Sequence, residues 1–331
     1  MPTPLAPRHR ADIALSLLDL DGPTPHPQDA STYAFPDGGH WRTEIPSVEG
    51  PRALQAVLEE AARLHVPIHR ISQGSGIWML TDAEITEMVR ACTESGIELC
   101  LFTGPRAGWD IAATNRVPRA AAGPRAYGHA ALRGCVEDAI RATDLGVGCI
   151  LVADEGVLWT LHQLRERGAL PATTTLKVSA LIGPVNAVSF ALFERLGADS
   201  INVPSDLPST HLTEIRRTSR APLDLYIEAP DDLGGFVRIH ETAEFIRRGA
   251  PLYLKFGLSN SPVIYPAGAH LSETVVATAR ERVRRGRLIL DALERWNLTE
   301  TMSPPGSRQP GPLQRFALPD NDNALTAVGP A

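Results

Sequence analysis

Residues 223–238 read LDLYIEAPDDLGGFVR. Leu223, Leu225 and Ile227 alternate with Asp224, Tyr226 and Glu228, the period of a half-buried β-strand. Residues 252–260, LYLKFGLSN, repeat the device: Leu252, Leu254 and Phe256 alternate with Tyr253 and Lys255. Whether these polar side chains meet water or an interior depends on what closes around the two strands.

Working outward, the same unit recurs. TEIPSV (43–48), PIHRIS (67–72), IELCLFT (97–103), GCILVA (148–153), LKVSAL (176–181), SINVP (200–204), LDLYIE (223–228) and LYLKFG (252–257) are each followed by a stretch with the i, i+3, i+4 apolar spacing of a helix. Gly96, Gly146, Gly168, Gly197 and Gly249 stand where helices should stop. Alternating strand and helix implies parallel strands joined by crossover helices. Eight units over about 250 residues define a (β/α)8 barrel of the TIM type. An open doubly wound sheet is the competitor, but no glycine-rich nucleotide loop follows the first strand. The expected layout is an N-terminal arm over 1–40, the barrel over 41–298, and a Pro- and Gly-rich disordered tail over 299–331.

Composition narrows the function. A net charge of −6 opposes a nucleic-acid protein, which needs a dense basic surface. The basic run RERVRRGR (280–287) reads as a solvated helix face. No apolar run is long enough to span a membrane, and the N-terminus lacks a signal-peptide core. Cys92, Cys100, Cys135 and Cys149 form no CxxC pair, which suits a reducing cytoplasm and no zinc or iron–sulfur motif. The expected partner is a small-molecule substrate, with self-association left open.

In a (β/α)8 barrel the apolar strand face packs on helices and the other face points inward. Asp224, Tyr226, Glu228, Tyr253, Lys255, Lys177, Ser179, Ser200 and Asn202 then face the interior. Buried charges must pair or bind something. Lys177 and Asp224, near strand starts, read as a structural ion pair. Glu228, Lys255, Asn202 and Ser179, near strand ends, fall where active sites form. The loops add Gln73 in SQGSG, Arg106 in TGPRAGWD, Asp231, Asp232 and Arg238 in APDDLGGFVR, and Ser259 and Asn260 in GLSNSP. Arg238 suits a carboxylate or phosphate; Asp154 suits a helix N-cap.

The segments EIPSVEGPRALQAVLEEA, HRISQGSG, AGWD, LVADEG, GADSINVPSDL, YIEAPDDLGGFVR and LKFGLSN resemble actinobacterial barrel proteins grouped with the U32 peptidase-like family, over about residues 42–295. The resemblance implies a barrel with peptidase- or collagenase-like activity. The chain lacks the family's Glu- and Cys-containing signature, and its scattered cysteines argue against the branches that carry cysteine-bound iron–sulfur clusters.

The first expectation is therefore a hydrolase acting on a small polar amide or carbonyl substrate. Glu228 serves as general acid/base, Lys255 as electrophile or nucleophile, and Asn202 and Ser179 as orienting groups. Gln73, Arg106, Asp231, Asp232, Arg238, Ser259 and Asn260 hold the substrate. No cofactor is expected. The alternative is a lyase, aldolase or isomerase on a small carboxylate or sugar acid. It works through a Lys255 Schiff base, or through a divalent magnesium or manganese ion on Glu44, Asp154 and Glu228. A third reading is a ligand-binding barrel without catalysis.

Overall fold

Strands β1 (Trp41–Pro46), β2 (Arg70–Ser72), β3 (Glu98–Phe102), β4 (Cys149–Val152), β5 (Thr175–Val178), β6 (Ser200–Asn202), β7 (Leu223–Glu228) and β8 (Leu252–Phe256) run parallel in chain order. β8 pairs back onto β1, with Trp41 opposite Leu252 and Glu44 opposite Lys255, so the sheet closes. The chain is thus a (β/α)8 barrel. The computed structural model describes residues 14–17, 26, 28–104, 125–308 and 311–313.

Helices α1 (Pro51–Leu64), α2 (Asp82–Glu94), α3 (Gly128–Asp144), α4 (Glu155–Glu166), α5 (Ala187–Arg195), α6 (Ser209–Thr218), α7 (Thr242–Gly249) and α8 (Ser272–Arg295) alternate with the strands. Local chemistry sets several starts. Thr81 and Glu84 make a reciprocal capping box on α2, and Asn186 and Ser189 make one on α5. Asp154 caps α4 by accepting from the Val157 amide at 3.0 Å. Gly96, Gly146, Gly168 and Gly197 have the expected left-handed φ; Gly249 instead stays in the last turn of α7, with no left-handed φ. The outward strand residues, such as Ile45, Ile71, Leu101, Ile150 and Leu225, form the core with the helices. No described helix is long and apolar enough to cross a membrane.

Two departures from simple alternation matter. β7 carries a bulge: Tyr226 pairs with Lys255, but Glu228 pairs with Phe256. A bulge reverses side-chain parity beyond it. Asp224 and Tyr226 point inward as expected, whereas Glu228 shares the outward face of Phe256, which packs over Gly286 of α8.

The second departure is at the bottom. Residues 299–308, assigned by composition to a disordered tail, pack beneath the strand starts. Ser303 donates its amide to the Trp41 carbonyl (3.0 Å), and its hydroxyl accepts from Arg42 Nε (3.0 Å) and donates to Asp37 (2.9 Å). Trp41 Nε1 donates to the Leu298 carbonyl at 3.1 Å. From the arm, Ser31 donates its amide to the Arg247 carbonyl at 2.8 Å, and Phe35 stacks edge-on against Tyr253 at 5.3 Å. Backbone hydrogen bonds and aromatic burial hold both segments, which composition does not report.

His69 ties strands to floor. Its Nδ1 accepts from the Thr43 amide (3.1 Å), so its proton sits on Nε2 and is donated to the Ser303 carbonyl (3.0 Å). Burial pushes the imidazole down to about 4. Unfolding restores the usual value near 6.5, so between about pH 6.5 and 4 the unfolded chain binds the extra proton and stability falls as pH falls. We expect the urea midpoint to drop over this range, and His69→Asn to flatten that part of the profile. An unchanged slope in the variant would show that His69 carries none of it.

Candidate active site

The barrel interior is ionic. In its lower half, Arg70 reaches Glu98 through Nε and Asp224 through Nη1 at 2.9 Å, and lies over the Tyr253 ring at 3.7 Å. Lys177 bridges Glu44 and Asp224, the latter at 2.9 Å. The ion pair expected between Lys177 and Asp224 is therefore one edge of a larger network. Burial by itself raises the Glu44 carboxyl, but Lys177, Lys255 and Arg70 more than offset it and hold it well below the usual carboxylate range. Burial opposes the Lys177 charge, yet Asp224 and Glu44 keep that amine above its ordinary value.

Lys255 sits one layer higher and is held differently. Nζ donates to Asn202 Oδ1 at 2.6 Å and stands 4.0 Å from the Tyr226 ring centroid. Its nearest carboxylate oxygen, Glu44 Oε1, is 3.8 Å away and accepts from Ser72 Oγ at 2.7 Å. Lys255 is 4% exposed. Burial, then the Lys177 charge, push its amine down to about 8 against the pull of Glu44 and Asp224. At pH 7 roughly a tenth of such an amine is unprotonated.

Lys255 lines a cavity of about 480 Å³ at the C-terminal ends of the strands, where barrel active sites lie. Asn202, Ser179, Gln73, Asp231 and Asp232 line it as well. Asn202 is fixed by donating Nδ2 to the Val178 carbonyl at 2.6 Å, which leaves Oδ1 for the amine. Ser179 Oγ accepts from the Leu181 amide at 3.2 Å. Gln73 closes its own turn, giving and receiving hydrogen bonds with Gly76 at 2.9 and 3.2 Å. Asp231 accepts from the Asn260 amide at 3.1 Å.

Other expected residues lie elsewhere. Glu228, turned by the bulge, accepts from the Ser259 amide (2.9 Å) and hydroxyl (2.7 Å), and lies 3.6 Å from Arg285 of α8. It does not meet Lys255, and Ser259 serves it instead of a ligand. Arg238 clamps loop carbonyls of Ser205 (3.0 Å) and Leu207 (2.9 Å), pairs with Glu241, and lies over Phe245. Asn260 is exposed with φ 50 and does not line the cavity. Arg106 lies outside the described residues. Glu44, Asp154 and Glu228 occupy three separate settings; Asp154 caps α4 and pairs with Arg125 at 3.2 Å. Among the described residues no group of three or more His, Cys, Asp or Glu is disposed to hold a metal ion.

Two cavity residues escaped sequence reasoning. Tyr265 comes from the β8–α8 loop, which also contributes Pro262, Val263 and Ile264 to the wall. Arg282 comes from the run read as a solvated face, yet is 4% exposed. Its place on the stripe Val275, Thr278, Ala279, Arg282, Val283 and Gly286, which faces the barrel, was the available signal. A stronger signal concerns lysine. The 32 basic side chains comprise 30 arginines and only two lysines, Lys177 and Lys255, both inside the barrel.

No protein-family model matches the chain, and no curated protein does. Similar solved structures include the YdjI aldolase from Escherichia coli K12, at 13% identity and TM-score 0.46, covering 77% of this chain and 91% of that one. They include the U32 peptidase Mk0906, at 18% identity and TM-score 0.41, covering 72% and 98%. A 3-hexulose-6-phosphate synthase is similar at 13% identity and TM-score 0.41, covering 75% and 99%. Such likeness concerns the fold and not the reaction.

The two lysines should separate in stability. Lys177→Met leaves Glu44 and Asp224 short of a cation and is expected to cost about 3–5 kcal/mol. Lys255→Met leaves Asn202 Oδ1 without its donor but breaks no close ion pair, and should cost less, about 1–3 kcal/mol. Urea unfolding of both variants checks this, and equal losses would refute the distinction. Acetylation followed by peptide mapping, which separates the N-terminal amine, should show Lys255 reactivity rising with a half-point near pH 8. A half-point near 10.5 would refute the depressed amine.

Proposed function

We propose that this barrel is an enzyme of the aldolase or lyase kind, in which Lys255 forms a Schiff base with a small carbonyl substrate. One observation carries the reading. The chain's only lysine at the strand ends is buried in a cavity wall, weakly countered by a carboxylate at 3.8 Å, and pushed down to about 8. Desolvation beside a second cation is the established way to activate a lysine nucleophile.

The chemistry follows from the neighbours. The free amine attacks the carbonyl carbon, and the resulting carbinolamine loses water to give an iminium. That cation draws electrons from the bond between the carbons α and β to it: the hydroxyl on the β carbon gives its proton to solvent water, the β fragment leaves as an aldehyde or ketone, and an enamine remains. Protonation of the enamine at carbon and addition of water release the second carbonyl product and restore the amine. Asn202 holds Nζ in place through Oδ1. Glu44 stabilises a positive charge at that nitrogen without being alkylated or consumed. Ser72, which lines the cavity, donates to Glu44 at 2.7 Å and so helps keep that carboxylate ionised beneath the nitrogen. Lys177 stays protonated between its carboxylates and keeps the neighbouring amine acidic.

The amide-hydrolase reading loses its acid/base because Glu228 faces α8. The reading through a metal on Glu44, Asp154 and Glu228 loses its ligand set, because the three are apart.

The test is borohydride trapping with a panel of small aldehydes, ketones and oxo acids, followed by intact mass and peptide mapping. A reduced adduct should form on Lys255 and be absent in Lys255→Met and Lys255→Arg. Turnover of any substrate found should rise with pH as the amine loses its proton near 8. Absence of a Lys255 adduct across the panel would overturn the proposal.

A further inference from the structure

Arg282 of α8 differs from every other buried arginine among the described residues. Arg42, Arg70, Arg165, Arg238 and Arg248 each meet a carboxylate. Arg216 has no such partner but donates to four backbone carbonyls, at 2.7–3.3 Å. Arg282 has two long hydrogen bonds, both from Nη1: to the Ser47 carbonyl at 3.5 Å and to Thr278 Oγ1 at 3.3 Å. Its Nε is buried with no hydrogen-bond partner. Tyr265 and then Glu49 act on it electrostatically without an ion pair, and the Glu49 carboxylate oxygens are taken by the Gly74 amide at 2.7 Å and the Ser75 amide at 3.0 Å. A buried guanidinium with so little around it is costly in isolation.

Arg282 lines the same cavity as Lys255, beside Tyr265 and Ser47. Among the described residues, the only acidic side chains on that cavity's lining are Asp231 and Asp232. Asp231 is half-buried and Asp232 exposed at the rim, where water screens them. Inside the cavity the charge is therefore cationic at two places, one able to react and one permanently charged. Guanidinium binds planar and tetrahedral oxyanions through charge-assisted hydrogen bonds.

We infer that Arg282 is the binding group for an oxyanion carried by the substrate, so that the substrate class is a carbonyl compound bearing a carboxylate or phosphate. The inference rests on the Schiff-base reading for where the carbonyl goes; the anion site itself rests on Arg282.

The experiment has two independent readouts. In the first, borohydride trapping on wild-type protein compares pyruvate, dihydroxyacetone phosphate and neutral hydroxyacetone. Half-maximal adduct formation is expected at least about tenfold lower in concentration for one of the two anionic probes than for hydroxyacetone. Which of the two anions wins tells carboxylate from phosphate. Arg282→Met should abolish that preference while leaving the hydroxyacetone adduct, and Arg282→Lys, which keeps the charge, should restore part of it. In the second, calorimetric titration with oxalate and with inorganic phosphate is run on Lys255→Met, alone and combined with Arg282→Met. Binding that is lost on adding Arg282→Met upholds the anion site even if no Schiff base ever forms. Equal trapping of anionic and neutral probes, unchanged in both Arg282 variants that remain folded by circular dichroism, overturns the anion site while leaving the lysine chemistry standing. Absence of any Arg282-dependent anion binding in the titration overturns it as well.

Discussion

The structure depends on a charge network sealed in the centre of the barrel. Arg70 and Lys177 face Glu44, Glu98 and Asp224 with almost no solvent access. Barrel interiors are ordinarily filled by branched apolar side chains, and a buried ion pair is no better for stability than good packing. What the network does supply is a fixed pattern of charge under the cavity floor. Two cations and three carboxylates leave one negative charge in want of a partner. Lys255, one layer up, is the remaining cation, and it answers that charge only across 3.8 Å. Its intermediate character follows from this geometry: attracted enough to stay in place, too dry and too close to Lys177 to hold its proton firmly.

Much of this was legible in the chain. Eight alternating units, their spacing and the absence of a nucleotide loop sufficed for the barrel, because period and element order are local properties. Side-chain parity was also legible, and put Lys255, Asn202, Tyr226 and Asp224 on the right face. Parity failed at Glu228, because a bulge is a register event between β7 and β8 and has no reliable mark in either strand alone. Residues 299–308 were misread for a related reason. Their composition is that of a loop, but the Trp41 carbonyl and the Arg42 side chain that anchor Ser303 are about 260 positions distant in the chain.

The loop residues show another limit. Gln73, Arg238 and Ser259 have the donors a ligand would want, yet in the fold they brace their own turns or neighbouring carbonyls. Sequence reveals the capacity to hydrogen-bond, not which partner wins. Arg282 erred the other way, as a charge inside a charged run that the helix face turned inward. The count of lysines would have been the better guide: a chain that uses arginine wherever a positive charge is enough keeps lysine for two positions, one of them where a proton can leave.

The floor built from residues 299–308, Arg42 and Ser303 has a consequence for traffic through the molecule. Closed beneath by backbone hydrogen bonds and filled above them by ion pairs, the cylinder is a blind well. Whatever enters at the strand ends must depart by the same doorway, and the β8–α8 loop that walls this opening stands guard over both journeys.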